Sequence, residues 1–388
     1  MYNFTFEVST RIHFGQGQIS HLSELRESGE KVLLCYGGGS IKKNGIYDDA
    51  MKIMKDAGLT VYELSGVEPN PRIGTVRKGV ELCRSEKIDM VLAIGGGSTI
   101  DCAKVIAAGA VYDGDAWDLV LDSSLIKGAL PVYSVLTLSA TGSEMDIFAV
   151  ISDMEKNEKW GTGSPYILPK MSVLDPTYTY TVSRKQTAAG TADMMSHTFE
   201  NYFHHEKGAD LQERFAEGIL KTCIKYGPIA LEEPDNYDAR ANLMWASSHA
   251  INGLIARGAQ PAWCVHPIEH ELSAFYDITH GEGLAILTPV WMEHVLNDGN
   301  KAIFAAYGRN VWDLTGEDDM EVSKEAIEKT REFFFKTMGM PSNLKAVGIT
   351  DERYFEVMAE KAAKGSVGSF EPLTKEDIIE IYRAAMDQ

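Results

Sequence analysis

Met90-Val91-Leu92-Ala93-Ile94-Gly95-Gly96-Gly97-Ser98-Thr99-Ile100-Asp101 is the stretch that decides how this chain folds. Its five leading apolar residues have the length of a buried strand. The run stops at three glycines, and Thr99 to Ala110 continues with helical character. A strand, a tight turn and a helix in that order make up part of a βαβ unit. Glycines in such a turn let a ligand approach the backbone, and the helix start beyond offers N–H groups to a phosphate. Three glycines equally fit a tight turn that binds nothing. The spacing is neither the separated-glycine dinucleotide fingerprint nor a P-loop.

The same arrangement stands one unit earlier. Lys31 to Tyr36 is a short apolar run that ends at Gly37-Gly38-Gly39-Ser40. Gly45 to Ala57 then reads as a helix, Thr60 to Leu64 as a strand, Ile73 to Glu86 as a helix and Pro131 to Leu136 as a strand. Strands alternating with helices predict a largely parallel sheet. Phe4 to Phe14 alternates and is expected to be a strand or hairpin arm. Beyond about residue 185 the runs are of helical length, among them Lys185 to His205, Leu211 to Tyr226, Tyr237 to Leu254 and Pro267 to Phe275. The expectation is an α/β domain over 1–185, followed by an all-helical domain over 186–388.

Composition narrows the partners. The chain has 388 residues, 44% hydrophobic and 24% charged, with a formal net charge of −19. Such a surface repels nucleic-acid phosphates and anionic lipid. No run of 18 apolar residues predicts a membrane span. The five cysteines are scattered and never closely paired, which suits buried thiols in a reducing compartment. Met1 to Gly15 lacks the basic start and apolar run of a secretory leader, so a cytoplasmic address is expected.

Two further patterns carry chemistry. The Gly37–Ser40 turn is followed by Lys42 and Lys43, with no acid at its end. An acid there would accept hydrogen bonds from an adenosine ribose. A hydroxyl and lysines suit a 2′-phosphate instead, so NADP(H) is expected over NAD(H), although the lysines also read as ordinary surface charge. The clustered hydroxyls of Thr137-Leu138-Ser139-Ala140-Thr141-Gly142-Ser143-Glu144 follow another strand and could bind a ligand or cap a helix. Asp193 and His197 are four apart on a helical stretch, as are His266 and His270, and His280 follows at a sharp Thr279-His280-Gly281 turn. Residues four apart share a helix face. One carboxylate with three or four imidazoles matches a divalent metal site, whereas any one of these histidines alone is more often a satisfied helical residue. Pro267-Ile268-Glu269 between the second pair does not match the zincin pattern.

Taken in order, these segments, with Asp101-Cys102-Ala103-Lys104, Val173-Leu174-Asp175-Pro176 and Glu269-His270-Glu271-Leu272, resemble the iron-containing (group III) alcohol dehydrogenase family over nearly the full length. Within it, the chain is most similar to the NADPH-dependent butanol dehydrogenase and aldehyde reductase branch. The resemblance implies a dehydroquinate synthase-like fold, with a Rossmann-like dinucleotide-binding domain over 1–185 and an all-helical metal-binding and substrate domain over 186–388, NADP(H), and one divalent metal, iron(II) or zinc, on Asp193, His197, His266 and His280. It implies that Gly95, Gly96, Gly97 and Ser98, with Asp101 just beyond, form the pyrophosphate loop. Thr137, Ser139 and Thr141 would lie around the pyrophosphate and nicotinamide ribose, and Gly38, Gly39, Ser40 and Lys43 around the 2′-phosphate. Lys159 would stand near the nicotinamide, and His270 near metal and cofactor as a proton relay. Leu138-Ser139 departs from the pair many members carry. The implied substrate is a primary alcohol or aldehyde of butanol type. The implied assembly is a homodimer through the N-terminal strand, with neither nucleic acid nor membrane as partner. Two other readings stay open: glycerol dehydrogenase-like polyol oxidation with NAD and zinc, and a nucleotide-binding protein without activity.

Overall fold

A computed structural model describes residues 1–364, 368 and 370–388. The chain divides into two compact units, Glu7–Val182 with Pro234–Ser248, and Met1–Phe6 with Ser183–Glu233 and His249–Gln388.

The first unit is α/β. Its strands are β1 (Arg11–Phe14), β2 (Lys31–Tyr36), β3 (Thr60–Ser65), β4 (Met90–Gly95), β5 (Val132–Leu136), β6 (Phe148–Asp153), β7 (Glu158–Gly163) and β8 (Met171–Leu174). Helices α1 (Ser40–Lys43), α2 (Ile46–Asp56), α3 (Ile73–Glu86), α4 (Gly97–Val111) and α5 (Ala116–Leu121) connect them. Six strands form one sheet in the order β1-β8-β5-β4-β2-β3, and every pairing within it is parallel. All residues of β4 and β5 are buried, as parallel strands covered on both faces require. That double burial is why β4 reads as an unbroken apolar run and β5 as one broken only by Ser134, whose hydroxyl donates to Ser172 Oγ at 2.8 Å. From β2 the chain moves outward to β3, then returns to the other side of β2 to lay down β4. The order of the sheet therefore reverses between β2 and β4. Ligands of open α/β sheets bind beyond the carboxyl ends of the strands at such a reversal, and both glycine turns lie there.

Only Arg11–Phe14 of the expected Phe4–Phe14 arm is a strand, pairing with β8 at the sheet edge. Residues 1–10 form none. Phe4 and Phe6 are exposed, and Tyr2 N–H donates to the Gly258 carbonyl at 2.8 Å. A strand pattern needs a neighbouring strand, and this segment has none among the described residues. The β6–β7 antiparallel hairpin is a separate two-stranded sheet.

The second unit is helical: α6 (Arg184–Tyr202), α7 (Asp210–Glu232), α9 (Val265–Tyr276), α10 (His280–Val295), α11 (Lys301–Trp312), α12 (Asp319–Glu332), α13 (Phe355–Lys364) and α14 (Lys375–Asp387). Between α7 and α9 lies α8 (Tyr237–Ile251), most of which belongs to the α/β unit. Its Met244 joins the core beneath the sheet, and Trp245 meets Phe14 edge-on at 5.6 Å. That segment and Met1–Phe6 both cross the expected 185/186 boundary. Ser183 caps α6, its Oγ accepting from Gln186 N at 3.2 Å. Thr187 to Tyr202 is buried without interruption, so α6 is a core helix rather than a surface one. His280, expected in a turn, instead opens α10.

Candidate metal centre and dinucleotide site

Helix α6 carries Asp193 and His197 one turn apart, α9 supplies His266 near its start, and α10 begins with His280. Asp193 Oδ1 lies 3.7 Å from His197 Nδ1, from His266 Nε2 and from His280 Nε2. These separations are too long for hydrogen bonds. Ligands about 2.1 Å from a tetrahedral ion stand roughly 3.4 Å from one another. Asp193 Oδ1, His197 Nδ1 and His266 Nε2 are buried and have no hydrogen-bond partner. Burying three polar atoms uncompensated is costly, and a divalent cation among them removes the cost. The donor set, one carboxylate and three imidazoles, fits iron(II) or zinc.

Electrostatics point the same way. Burial raises the Asp193 carboxyl, but the surrounding imidazoles outweigh it and hold it well below the carboxylate range. Burial, reinforced by His266 and His280, pushes His197 down to about 3, against the pull of Asp193. Burial also lowers His266, yet Asp193 and Glu200 prevail and raise it to about 9. A cation bound at neutral pH displaces that proton, since a ligand imidazole must be neutral.

Two acids outside the predicted set hold the imidazoles. Glu200 follows His197 on α6 and is buried. Its carboxylate accepts from the backbone N–H groups of Cys264 (2.7 Å), Val265 (2.8 Å) and His266 (3.0 Å), and stands 3.2 Å from His266 Nδ1. It thus places negative charge at the positive end of α9 while aiming the His266 ring. Glu269 Oε2 bonds His280 Nδ1, and its Oε1 accepts from Ser273 Oγ at 2.5 Å. The Asp193, His197, Glu200 spacing of four and three was the available signal for Glu200. Glu269 carried none beyond its place beside His270. His270 lies with its ring centroid 5.5 Å from that of His280 and 6.3 Å from that of His266. A Cβ at Gly281 would strike the backbone of Ala189, so glycine is what lets α10 start against α6. Trp263, at φ 44°, presents its indole edge-on to His266 at 5.3 Å.

In the α/β unit, Gly38, Gly39, Ser40 and Lys43 follow β2, Gly95 to Ser98 follow β4, and Thr137, Ser139 and Thr141 follow β5. They occupy the carboxyl ends of three strands, two of them paired in turn with β4. Gly39 is left-handed at φ 96° and opens α1. No side chain caps α4, which leaves its first turn to a ligand. Thr137 N–H donates to the Gly95 carbonyl at 3.0 Å, and a Cβ at Gly97 would run into the Thr141 side chain. Ser139 Oγ is buried without a partner. Ser40 and Lys43 are exposed. Glu63, 3.7 Å from the Lys42 ammonium beside this turn, accepts from the hydroxyls of Tyr36 (2.7 Å) and Tyr47 (2.9 Å). Asp101 is turned inward and braces the loops, accepting from Ser143 Oγ at 2.5 Å and Val150 N at 2.8 Å. Lys159 is buried on β7 opposite Ser152.

Comparison with known proteins matches both units. The sequence profile of iron-containing alcohol dehydrogenase aligns with residues 9–176, and that of the family's C-terminal part with residues 187–386. The chain is 57% identical to the NADH-dependent butanol dehydrogenase A of Clostridium acetobutylicum, across 99% of each chain. It is 40% identical to the NADPH-dependent aldehyde reductase YqhD of Escherichia coli, across 99% of this chain and 100% of that one. A crystal structure of a Thermotoga maritima NADH-dependent butanol dehydrogenase A superposes with a TM-score of 0.95 at 40% identity, covering 100% of this chain and 99% of the other. The parallel sheet with its reversal, the helical unit with its carboxylate and imidazoles, and these full-length matches agree: the chain belongs to the iron-containing alcohol dehydrogenase family.

Proposed function

We propose that the protein is a metal-dependent alcohol dehydrogenase and aldehyde reductase that transfers hydride between NADP(H) and a small primary alcohol or aldehyde of butanol type. The observation that carries this reading is the convergence of three imidazole nitrogens on Asp193 Oδ1, each at 3.7 Å. When bound, the divalent cation supplies a Lewis acid for the substrate oxygen and the dinucleotide supplies the hydride. Asp193, His197, His266 and His280 hold the cation. The backbone of Gly95 to Ser98 binds the pyrophosphate, with Thr137, Ser139 and Thr141 alongside. Asp101 keeps the Ser143 turn in place. Lys159 contributes a buried positive charge on the nicotinamide side, and His270 passes the proton that alcohol formation requires.

Relatives named for NADH and for NADPH are both similar to this chain. The preference for NADP(H) rests on exposed Ser40 and Lys43 beside a turn whose neighbouring acid, Glu63, is engaged by two tyrosines. The cytoplasmic reading rests on five cysteines that are all buried and unpaired. Among the described residues, no helix is long and apolar enough to cross a membrane. A homodimer through the N-terminal segment is supported by exposed Phe4 and Phe6 and by the edge position of β1.

The test is the metal content and butanal reduction of His266→Ala and His280→Ala. Both variants are expected to lose the ion and the activity. Full metal content with undiminished turnover would overturn the assignment. For the cofactor, kcat/KM with NADPH and NADH is compared in the wild type and Ser40→Asp. A wild-type preference for NADPH that reverses in the variant is expected, and a wild-type preference for NADH would refute the 2′-phosphate reading.

A further inference from the structure

Resting on that metal reading, we infer that Glu269 is a positioning residue: it selects which nitrogen of His280 faces the ion and so sets how tightly the centre holds it. His280 is the least enclosed member of the set, its side chain 23% exposed against 4% for Asp193. It also stands at the first residue of α10, where the helix itself restrains little. The His197 and His266 rings stack on each other at 4.6 Å, whereas the His280 ring meets that of His266 edge-on at 5.4 Å.

A neutral imidazole carries one N–H and one lone pair. With Glu269 Oε2 at Nδ1, the proton belongs on Nδ1 and the lone pair on Nε2, the atom that faces Asp193. The opposite tautomer would put a proton toward the ion and a lone pair against a carboxylate. Glu269 itself cannot drift. It is fully buried, and Ser273 Oγ one turn on holds its other oxygen. Gly283 leaves the space it needs, since a Cβ there would come within 2.8 Å of Glu269 Cγ and 2.9 Å of Oε1. Glu200 stands toward His266 in the same way, but it also accepts three backbone N–H groups, so its removal would mix positioning with loss of a helix cap. Glu269 separates the two.

Zinc affinity of metal-stripped protein, read by competition with a chromophoric chelator, tests this without reference to turnover. Wild type, Glu269→Gln, Glu269→Ala and Ser273→Ala are compared, with the Tm of each metal-free form as the control for folding. Glu269→Gln is expected to weaken zinc binding about 10- to 100-fold, and Glu269→Ala at least as much. Ser273→Ala is expected to give a smaller loss in the same direction. In the cobalt(II) forms, the visible absorption of Glu269→Gln should differ from that of wild type, which a merely structural role would not cause. If Glu269→Ala does not fold, Glu269→Gln and Ser273→Ala decide. Zinc affinities within twofold of wild type in both would overturn the inference while leaving the metal reading intact. A wild-type chain that binds no zinc or iron would instead overturn the metal reading on which this one rests.

Discussion

Replacing Glu144 by glutamine should make the protein more stable at neutral pH and leave it nearly unchanged in acid. Glu144 is fully buried beneath the hydroxyl-rich turn. Ser248 Oγ donates to its Oε1, while Oε2 has no partner. Burial pushes its carboxyl from 4.5 up to about 7, and Asp146 adds in the same direction, against Ser248 and Lys104. Between those two values the folded chain keeps a proton that the unfolded chain has released. Stability therefore falls as pH rises through that window, and the loss is complete above it. About 2.5 pH units at roughly 1.4 kcal/mol each give a loss on the order of 3 kcal/mol. Glutamine keeps the shape and the acceptor for Ser248 but does not titrate. Urea unfolding followed by circular dichroism at pH 5, 6, 7 and 8 reads the difference. Asp101, raised to about 6 by burial, slopes in the same sense in both proteins and cancels on subtraction. A variant with the wild-type slope, or one less stable than wild type at pH 8, would refute the reasoning.

Lys104 is fully buried and donates to Asp146 Oδ1 (2.8 Å), the Asp146 carbonyl (3.0 Å) and the Phe148 carbonyl (2.7 Å). Lys104→Met strands a buried carboxylate and should cost about 3–5 kcal/mol, read as a lower urea midpoint. Gly281→Ala drives a methyl group into the backbone of Ala189. It should destabilise by about 1–3 kcal/mol and lower the zinc content of purified protein, because the same shift displaces His280. Gly97→Ala collides with Thr141 and should raise the KM for NADPH on the order of tenfold, with kcat changed less, in steady-state butanal reduction.

What could be read beforehand divides along physical lines. β4 and β2 were legible because parallel strands buried on both faces leave an unbroken apolar run ended by glycine. Asp193 and His197 were legible because a one-turn spacing puts two candidate ligands on one face. Their meeting with His266 and His280 needed the tertiary fold, and the family resemblance supplied it. Glu200 and Glu269 look in sequence like ordinary helical acids; the helical spacing of Glu200 from His197 was a faint signal, and it is their burial against imidazoles that distinguishes them. The opening of α10 at His280 was hidden because Thr279-His280-Gly281 reads as a turn, whereas Gly281 serves close helix contact. The Phe4–Phe14 pattern misled because alternation signals a strand only where a partner strand exists. The β6–β7 hairpin, with Lys159 on it, is short and rich in polar residues and Gly, so its period of two was faint.

The return of Pro234–Ser248 to the α/β unit has a consequence for how the protein is made. Synthesis runs from the N-terminus, and domains generally fold as their chains emerge. The six-stranded sheet is complete once Leu174 has left the ribosome, but the helix that carries Met244 and the Ser248 partner of Glu144 follows some seventy residues later. In the interval Glu144 lacks its hydroxyl donor, and the core beneath the sheet lacks one of its members. Both α6 and α7 must be synthesised before the nucleotide unit can close. A fragment cut at the apparent domain boundary would reproduce that interval permanently, and the two halves of this enzyme are better regarded as co-dependent products of one translation than as exchangeable modules.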